Sequence, residues 1–246
     1  MKLSDIKNGN LSAEWAEKGY ELPKFDVEAV KAKTHAEPTW VHFGAGNIFR
    51  AFPAAILNEA LNSGKYDRGV IVAESFDYEI IDKAYRPYDN MSLLVCLKST
   101  GDIEKKVIAS VTESLKADYS FGEDWARLVE IFQNPSLQMI SFTITEKGYA
   151  LYRPDGSLMP VVQADIDEGP AHARHAMSMV AALLLERFQN GAYPLAVVSM
   201  DNCSHNGEKL QASVMTVAKA WLEKGFVGQD FIDYLSDETR SPSPGP

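Results

Sequence analysis

The chain has 246 residues, 46% of them hydrophobic and 24% charged, near the average of soluble globular proteins and enough for one large α/β domain or two small ones. Its formal net charge of −10 argues against broad nucleic-acid binding and against an anionic membrane surface, although a local cluster can still hold an anionic small molecule. No apolar stretch approaches the roughly 20 residues of a membrane span, the start "MKLSDIKNGNLSAEWAEKGY" lacks a secretory h-region, and the only two cysteines, Cys96 and Cys203, suggest a reducing, cytoplasmic setting.

In chain order, residues 1–38 form a polar, mixed lead-in with a short helix expected at "DVEAVKAKT". "TWVHFGAG" reads as a buried strand ending in a glycine turn, and "NIFRAFPAAILNEALNSG" as an apolar-faced helix closed by Gly64, with a kink or late start at Pro53. "RGVIVAES" is a second strand and "FDYEIIDKAYRP" a second helix. "SLLVCLKS" and "KKVIASV" are shorter strands around the turn "TGD". "FGEDWARLVEIFQN" is amphipathic, with Trp125, Leu128, Val129 and Phe132 on one face. "QMISFTIT" is a buried strand, "EGPAHARHAMSMVAALLLERFQNG" a long helix, "LAVVSMD" a strand and "NGEKLQASVMTVAKAWLEKG" a helix. Short apolar strands alternating with helices predict an α/β fold, a doubly wound, mostly parallel, Rossmann-like sheet with helices on both faces. The dinucleotide-binding domain is expected over 39–236, with a tail at 237–246.

Ligands of such sheets bind beyond the carboxyl ends of the strands. Four polar clusters are expected there: "GAGN", "ESFD", "TEKGY" and "DNCSHNG". Gly44 can supply the tight turn, and Gly46 lets backbone approach a pyrophosphate, with the N–H groups of the following helix start meeting the anion. Phe49 stands where a third glycine would complete the dinucleotide fingerprint, which implies wider helix–strand packing. An ordinary strand-to-helix turn is the alternative. Glu74, at the end of the next strand, is placed to accept ribose hydroxyls, further on than the ~20 residues usual; the long intervening helix accounts for the excess. Asn202 either hydrogen-bonds substrate or nicotinamide ribose or caps the helix beginning near Asn206. Lys147 can attract a carboxylate substrate, or pair with Glu146. His205 lies near the same loop. "EGPAHARH" puts Glu168, His172 and His175 at helical spacing, a carboxylate-and-imidazole set that can bind zinc, but Pro170 interrupts it and no metal is expected.

"VHFGAGNIFRAF", "TITEKGY" and "VVSMDNCSHNG", in this order and spacing, resemble the mannitol dehydrogenase family of polyol-specific long-chain dehydrogenases, over about Leu22 to Leu235. The family's G-x-G-x-F-x-R-A stretch matches Gly44, Gly46, Phe49, Arg50 and Ala51, with one extra residue before the phenylalanine. T-E-K-G-Y matches Thr145 through Tyr149, and D-N…N-G matches Asp201, Asn202, Asn206 and Gly207. The resemblance implies metal-independent, NAD(P)-dependent oxidation of a secondary alcohol, and Glu74, a like charge facing the 2′-phosphate, favours NAD over NADP. The substrate implied is a polyol or hexuronate, fructuronate/mannonate first, mannitol or altronate/tagaturonate as alternatives. Gly44, Ala45, Gly46, Asn47, Ile48, Phe49, Arg50, Glu74, Thr145 and Glu146 become the cofactor candidates. The family's catalytic lysine, with its asparagine and histidine, belongs to a helical second domain that this sequence does not reach, and the tail "TRSPSPGP" departs from the F-P-x-x-M-x-D-K/R-I stretch expected next. A nucleotide-binding module without turnover, and an S-adenosylmethionine-dependent methyltransferase with a similar glycine turn and acid, are the alternatives of other classes. Nothing in the sequence fixes an oligomeric state.

Overall fold

The computed structural model describes residues 13–237, with Leu3 and Ile6 ahead of them; most of the first twelve residues and the tail "TRSPSPGP" lie outside the described residues. The chain divides between Leu115 and Lys116 into two compact units.

The first unit opens with α1 (Ala13–Glu17), the short strand β1 (Tyr20–Glu21) and α2 (Val27–Ala36). Asp26 caps α2, its carboxylate accepting from Ala29 N at 3.0 Å, one of the N–H groups a helix start leaves open. β2 (Trp40–Phe43) pairs in parallel with β3 (Val70–Glu74), Val41 opposite Ile71 and Phe43 opposite Ala73. All five residues of β3 are buried, as a strand covered on both faces requires. The single helix expected between them is two, α3 (Asn47–Ala51) and α4 (Pro53–Asn62). Pro53 lacks the N–H that would continue α3, so it starts a new helix at the first position, and Phe52 between them leaves helical geometry at φ −124°, ψ −73°. Gly64, at φ +70°, ends α4 as expected.

Where the sequence predicts a second helix, the chain makes a π-helical turn, Ile81–Tyr85, and then a 3-10 turn, Arg86–Tyr88. Asn90 N reaches five residues back to Tyr85 O at 2.8 Å, and Pro87 cannot extend an α-helical ladder. β4 (Ser92–Leu97) and β5 (Ile103–Ile108) form the antiparallel hairpin around "TGD", and β1 adds to β5 in parallel, making a separate small sheet. The expected strand "KKVIASV" is split: β5 stops at Ile108, and β6 (Val111–Lys116), which the sequence pattern hides, lies beside β3. Buried Thr112 and Ser114 break its apolar alternation.

The second unit begins with α5 (Gly122–Gln133), whose buried face is Leu128, Ile131 and Phe132; Trp125 and Val129, expected there, are only half-buried. β7 (Met139–Phe142) leads into the short helix α6 (Thr145–Tyr149), and α7 (Pro160–Glu168), not foreseen, follows. The long helix expected from Glu168 starts only at Ala176, as α8 (Ala176–Gln189). Gly169 at φ +85° ends α7, Pro170 opens a 3-10 turn, and the buried Asp165 carboxylate accepts from Arg174 N and His175 N at 3.0 and 2.8 Å. His175 caps α8 through Nδ1, and His172 packs on Tyr119, so the helical face that would join Glu168, His172 and His175 does not exist. β8 (Ala196–Ser199) pairs in parallel with β7, and α9 (Asn206–Glu223) and α10 (Gln229–Ser236), the latter also missed, close the described chain. No described helix is long and apolar enough to cross a membrane.

Arg187 is the organising polar group of this unit. Fully buried in α8, it donates to the carbonyls of Phe132, Asn134, Leu137, Tyr193 and Pro194 at 2.7–3.0 Å. It thereby ties the end of α5, the approach to β7 and the approach to β8 to one helix. Arg187→Met keeps an apolar stem but removes all five bonds, although the Tyr193 carbonyl keeps Tyr234 Oη and the Asn134 carbonyl keeps Leu137 N. We expect a loss of about 3 kcal/mol or more, seen as a fall in Tm of roughly 6–12 °C in a circular-dichroism melt; an unchanged melt would refute this account.

Candidate functional site

The glycine turn after β2 is held by three groups. Gly44 sits at φ +109°, a left-handed conformation that glycine adopts at no steric cost, and its N–H bonds Ala73 O at 2.9 Å. Ala45 is buried. Its N–H donates to Glu74 Oε2 and its carbonyl accepts from Tyr85 Oη, both at 2.8 Å. Burial pushes the Tyr85 phenol well above its ordinary pKa, so it stays a donor at neutral pH. Gly46 differs from Gly44. Its φ of −73° suits any residue, and a Cβ built on it would meet nothing within 4 Å. The fold itself does not call for glycine there. Asn47 and Ile48 are exposed on the outside of α3, and Arg50 lies over the Tyr85 ring, 5.6 Å from its centroid. An open cavity of about 610 Å³ runs beside the turn, lined by Asn47, Arg50, Lys83, Tyr88, Met91 and Leu94 among others.

Phe49 is fully buried and stacks on His42 of β2, with ring centroids 4.2 Å apart and planes 9° from parallel. The aromatic pair fills the helix–strand gap that a third glycine would close by direct approach. Burial holds His42 down at about 3, from an ordinary 6.5, so its imidazole is neutral.

Glu74 is 8% exposed, and its carboxylate is engaged by backbone. Besides Ala45 N, it takes Ser75 N and Phe76 N at 2.9 Å and Asp77 N at 3.3 Å on Oε1. The expectation that it offers both oxygens to a ribose is therefore corrected: it is the clamp joining two strand-end loops. What that clamp presents is a Phe76 ring, 91% exposed, and the exposed Asp77 carboxylate. Both stand in "ESFD", so the sequence contained the signal two and three residues further on. Tyr85 left no such signal, because a regular helix would have faced it elsewhere.

In the second unit Asp201 plays the matching part. Its Oδ2 accepts from Ile144 N at 3.0 Å and Tyr149 Oη at 2.5 Å, and its Oδ1 from Thr145 N at 3.0 Å. Tyr149 also meets Ser199 at 2.9 Å, and Asn206 Nδ2 bonds the Asp201 carbonyl at 2.7 Å. Thr145 is held at φ +65° and His205 at φ +54°, costly positions for residues with a Cβ, typically about 1–3 kcal/mol each. Glu146 pairs with Lys209 of α9, not with Lys147. Asn202 and Lys147 are exposed, and Asn202 does not cap α9, whose N-cap residue is His205. The His205 ring turns back to Glu208 at 3.2 Å. The expected residues of "TEKGY" and "DNCSHNG" thus meet through Asp201, while Asn202, Lys147 and His205 make no contact with one another among the hydrogen bonds described.

Two solved structures share the fold. A D-sorbitol dehydrogenase in substrate-free form matches at a TM-score of 0.77 with 21% identity, over 99% of this chain and 46% of its own. The Pseudomonas fluorescens mannitol 2-dehydrogenase in ternary complex with NAD and D-mannitol matches at 0.75, also with 21% identity, over 95% and 45%. The parallel strands and flanking helices are thus those of a Rossmann-like α/β sheet. D-mannonate oxidoreductase of Thermotoga maritima is 51% identical over 230 residues, 94% of this chain and 42% of that protein. The chain spans less than half the length of these proteins. The mannitol dehydrogenase Rossmann domain matches residues 38–243, and with that match the chain belongs to the mannitol dehydrogenase family.

Proposed function

We propose that the chain is the NAD(H)-binding part of an oxidoreductase interconverting a polyol or aldonate and its keto form, the mannonate/fructuronate pair first. The observation that carries the reading is Gly46: a glycine the fold does not need, open to solvent, in a turn fixed on both sides. Such a position suits backbone approach to a diphosphate. The D-mannonate oxidoreductase likeness supports the substrate class, and the NAD held by the mannitol 2-dehydrogenase structure supports the cofactor. The dinucleotide-binding domain is taken as 39–236, after the lead-in 1–38.

The turn residues Gly44 to Arg50 would hold the diphosphate, with Arg50 adding charge. Phe76 offers an apolar face to adenine. Asp77, whose carboxylate makes no hydrogen bond among those described, takes the role of ribose acceptor first expected of Glu74. Asn202 is assigned to the substrate or nicotinamide ribose, and Lys147 to the carboxylate of a hexuronate. The nicotinamide supplies the hydride acceptor, and the protein must supply orientation and a base for the hydroxyl proton.

Three outcomes test this. Gly46→Val, whose Cβ would meet nothing within 4 Å, should weaken NADH binding by about tenfold or more through steric conflict; a folded variant with unchanged affinity in a fluorescence titration would remove the turn from the site. NADP should bind at least about tenfold more weakly than NAD, because a like charge faces the 2′-phosphate. Calorimetry should show Asp77→Asn narrowing that gap, while Glu74→Gln weakens both cofactors alike; equal affinities in the unmodified chain would count against the assignment. Finally, no lysine–asparagine–histidine set of the family's kind occurs in these 246 residues. A missing base costs about 10²–10⁴-fold, so NADH formation from mannonate, mannitol or altronate by the purified chain should stay near background. Turnover at roughly 1 s⁻¹ or faster would place the base inside this sequence.

A further inference from the structure

We propose that Tyr85, carried under the glycine turn by the π-helical turn Ile81–Tyr85, is a positioning residue that aims the Gly46 N–H at the ligand's diphosphate. This rests on the reading of that turn as the NAD(H) site.

The argument is one of peptide geometry. The Ala45 carbonyl and the Gly46 N–H belong to the same peptide. That peptide is trans, as are all those described, so its carbonyl and N–H point in opposite directions. Tyr85 Oη draws the carbonyl inward to a buried bond of 2.8 Å, and the N–H is thereby turned outward. On that side Gly46 is exposed, the space beyond its backbone is open, and its N–H finds no acceptor among the hydrogen bonds described. The preceding peptide is fixed too, because Ala45 N is bound to Glu74 and Gly44 N to Ala73 O. Neither plane can rotate without breaking a buried bond. The same Tyr85 ring carries the Arg50 guanidinium on its face. One side chain thus orients a backbone donor and a cation of a single turn.

The π-turn is what makes this possible. Its extra residue per turn shifts Tyr85 relative to the face a regular helix would give it. A buried tyrosine needs some acceptor for its hydroxyl; here the acceptor is the carbonyl whose peptide partner is the exposed Gly46 N–H.

Tyr85→Phe keeps the ring under Arg50 and removes only the hydroxyl. We expect NADH and ADP to bind about tenfold more weakly, the worth of one hydrogen bond, while adenosine, which has no phosphate, stays within about twofold. NADH is read by fluorescence, ADP by calorimetry and adenosine by ligand-observed NMR, with circular dichroism to confirm folding. A Tyr85→Phe protein that binds NADH like the unmodified chain overturns the proposal. So does an equal loss for adenosine, which would mean general damage. Should the variant not fold, the unmodified chain gives the answer by ¹⁵N NMR. The Gly46 amide should shift on addition of ADP and not of adenosine, and an unmoved Gly46 amide in a protein that binds ADP overturns the proposal. Gly46→Val separates the two levels: if it abolishes NADH binding while Tyr85→Phe does not weaken it, the turn remains the site and Tyr85 is not its positioner. If the unmodified chain binds neither NADH nor ADP, both fall.

Discussion

The Ala45 peptide links are the constraint on which the candidate site depends. A strand-to-helix turn must reverse direction within a few residues while leaving donors free for a ligand, and such turns are ordinarily mobile. Here the N–H of Ala45 is bound to a carboxylate and its carbonyl to a phenol, both buried. A buried polar group that loses its partner costs about 1–3 kcal/mol. The turn therefore has one geometry, which Gly44 permits at φ +109° and which β3 and the π-turn hold. Preorganisation of this kind spares a ligand the entropy of ordering its own site.

The second unit solves the same problem with different residues. Asp201, just beyond β8, gathers the N–H groups that open the turn after β7, as Glu74, at the end of β3, gathers those after β2 and its own strand. In each case a carboxylate at one strand end restrains the loop of a neighbouring strand. Parallel strands bring such ends to the same edge, so a single acid can serve two connections. Its negative charge is offset by several backbone donors rather than by a lysine or arginine, which leaves nearby cations such as Arg50 and Lys147 available for anions.

The parts of the fold legible in the sequence are those governed by local pattern. β2, β3, β7 and β8 announce themselves as short apolar runs, and α9 as a long amphipathic segment. The three blocks quoted from the sequence carried the family. What escaped depends on partners distant in sequence. β6 is disguised by buried hydroxyls that are satisfied elsewhere: Thr112 bonds Val70 O, and Ser114 bonds Asn90. The gap between α7 and α8 is fixed by Asp165, whose two backbone bonds periodicity cannot reveal. Glu74 reads from the sequence as a strand-end acid, but its burial and its four backbone donors do not, because they depend on where the loop after β2 comes to lie. The π-turn was out of reach altogether, since an amphipathic stretch does not disclose one added residue per turn.

The stacked pair of Phe49 and His42 has a consequence for engineering. Replacing Phe49 by glycine, to restore the shorter fingerprint, would not pull α3 against β2, because the backbone spacing is already set around two rings. It would leave a ring-sized void, at a cost of about 3–5 kcal/mol. Water entering that void would solvate the imidazole and let it take a proton in mild acid, which burial now prevents. The folded sheet would then carry a cation in its interior at a pH where it now carries none. Tolerance of acid and shape of the nucleotide turn are in this way joined through one phenylalanine, and a redesign of either must carry His42 along.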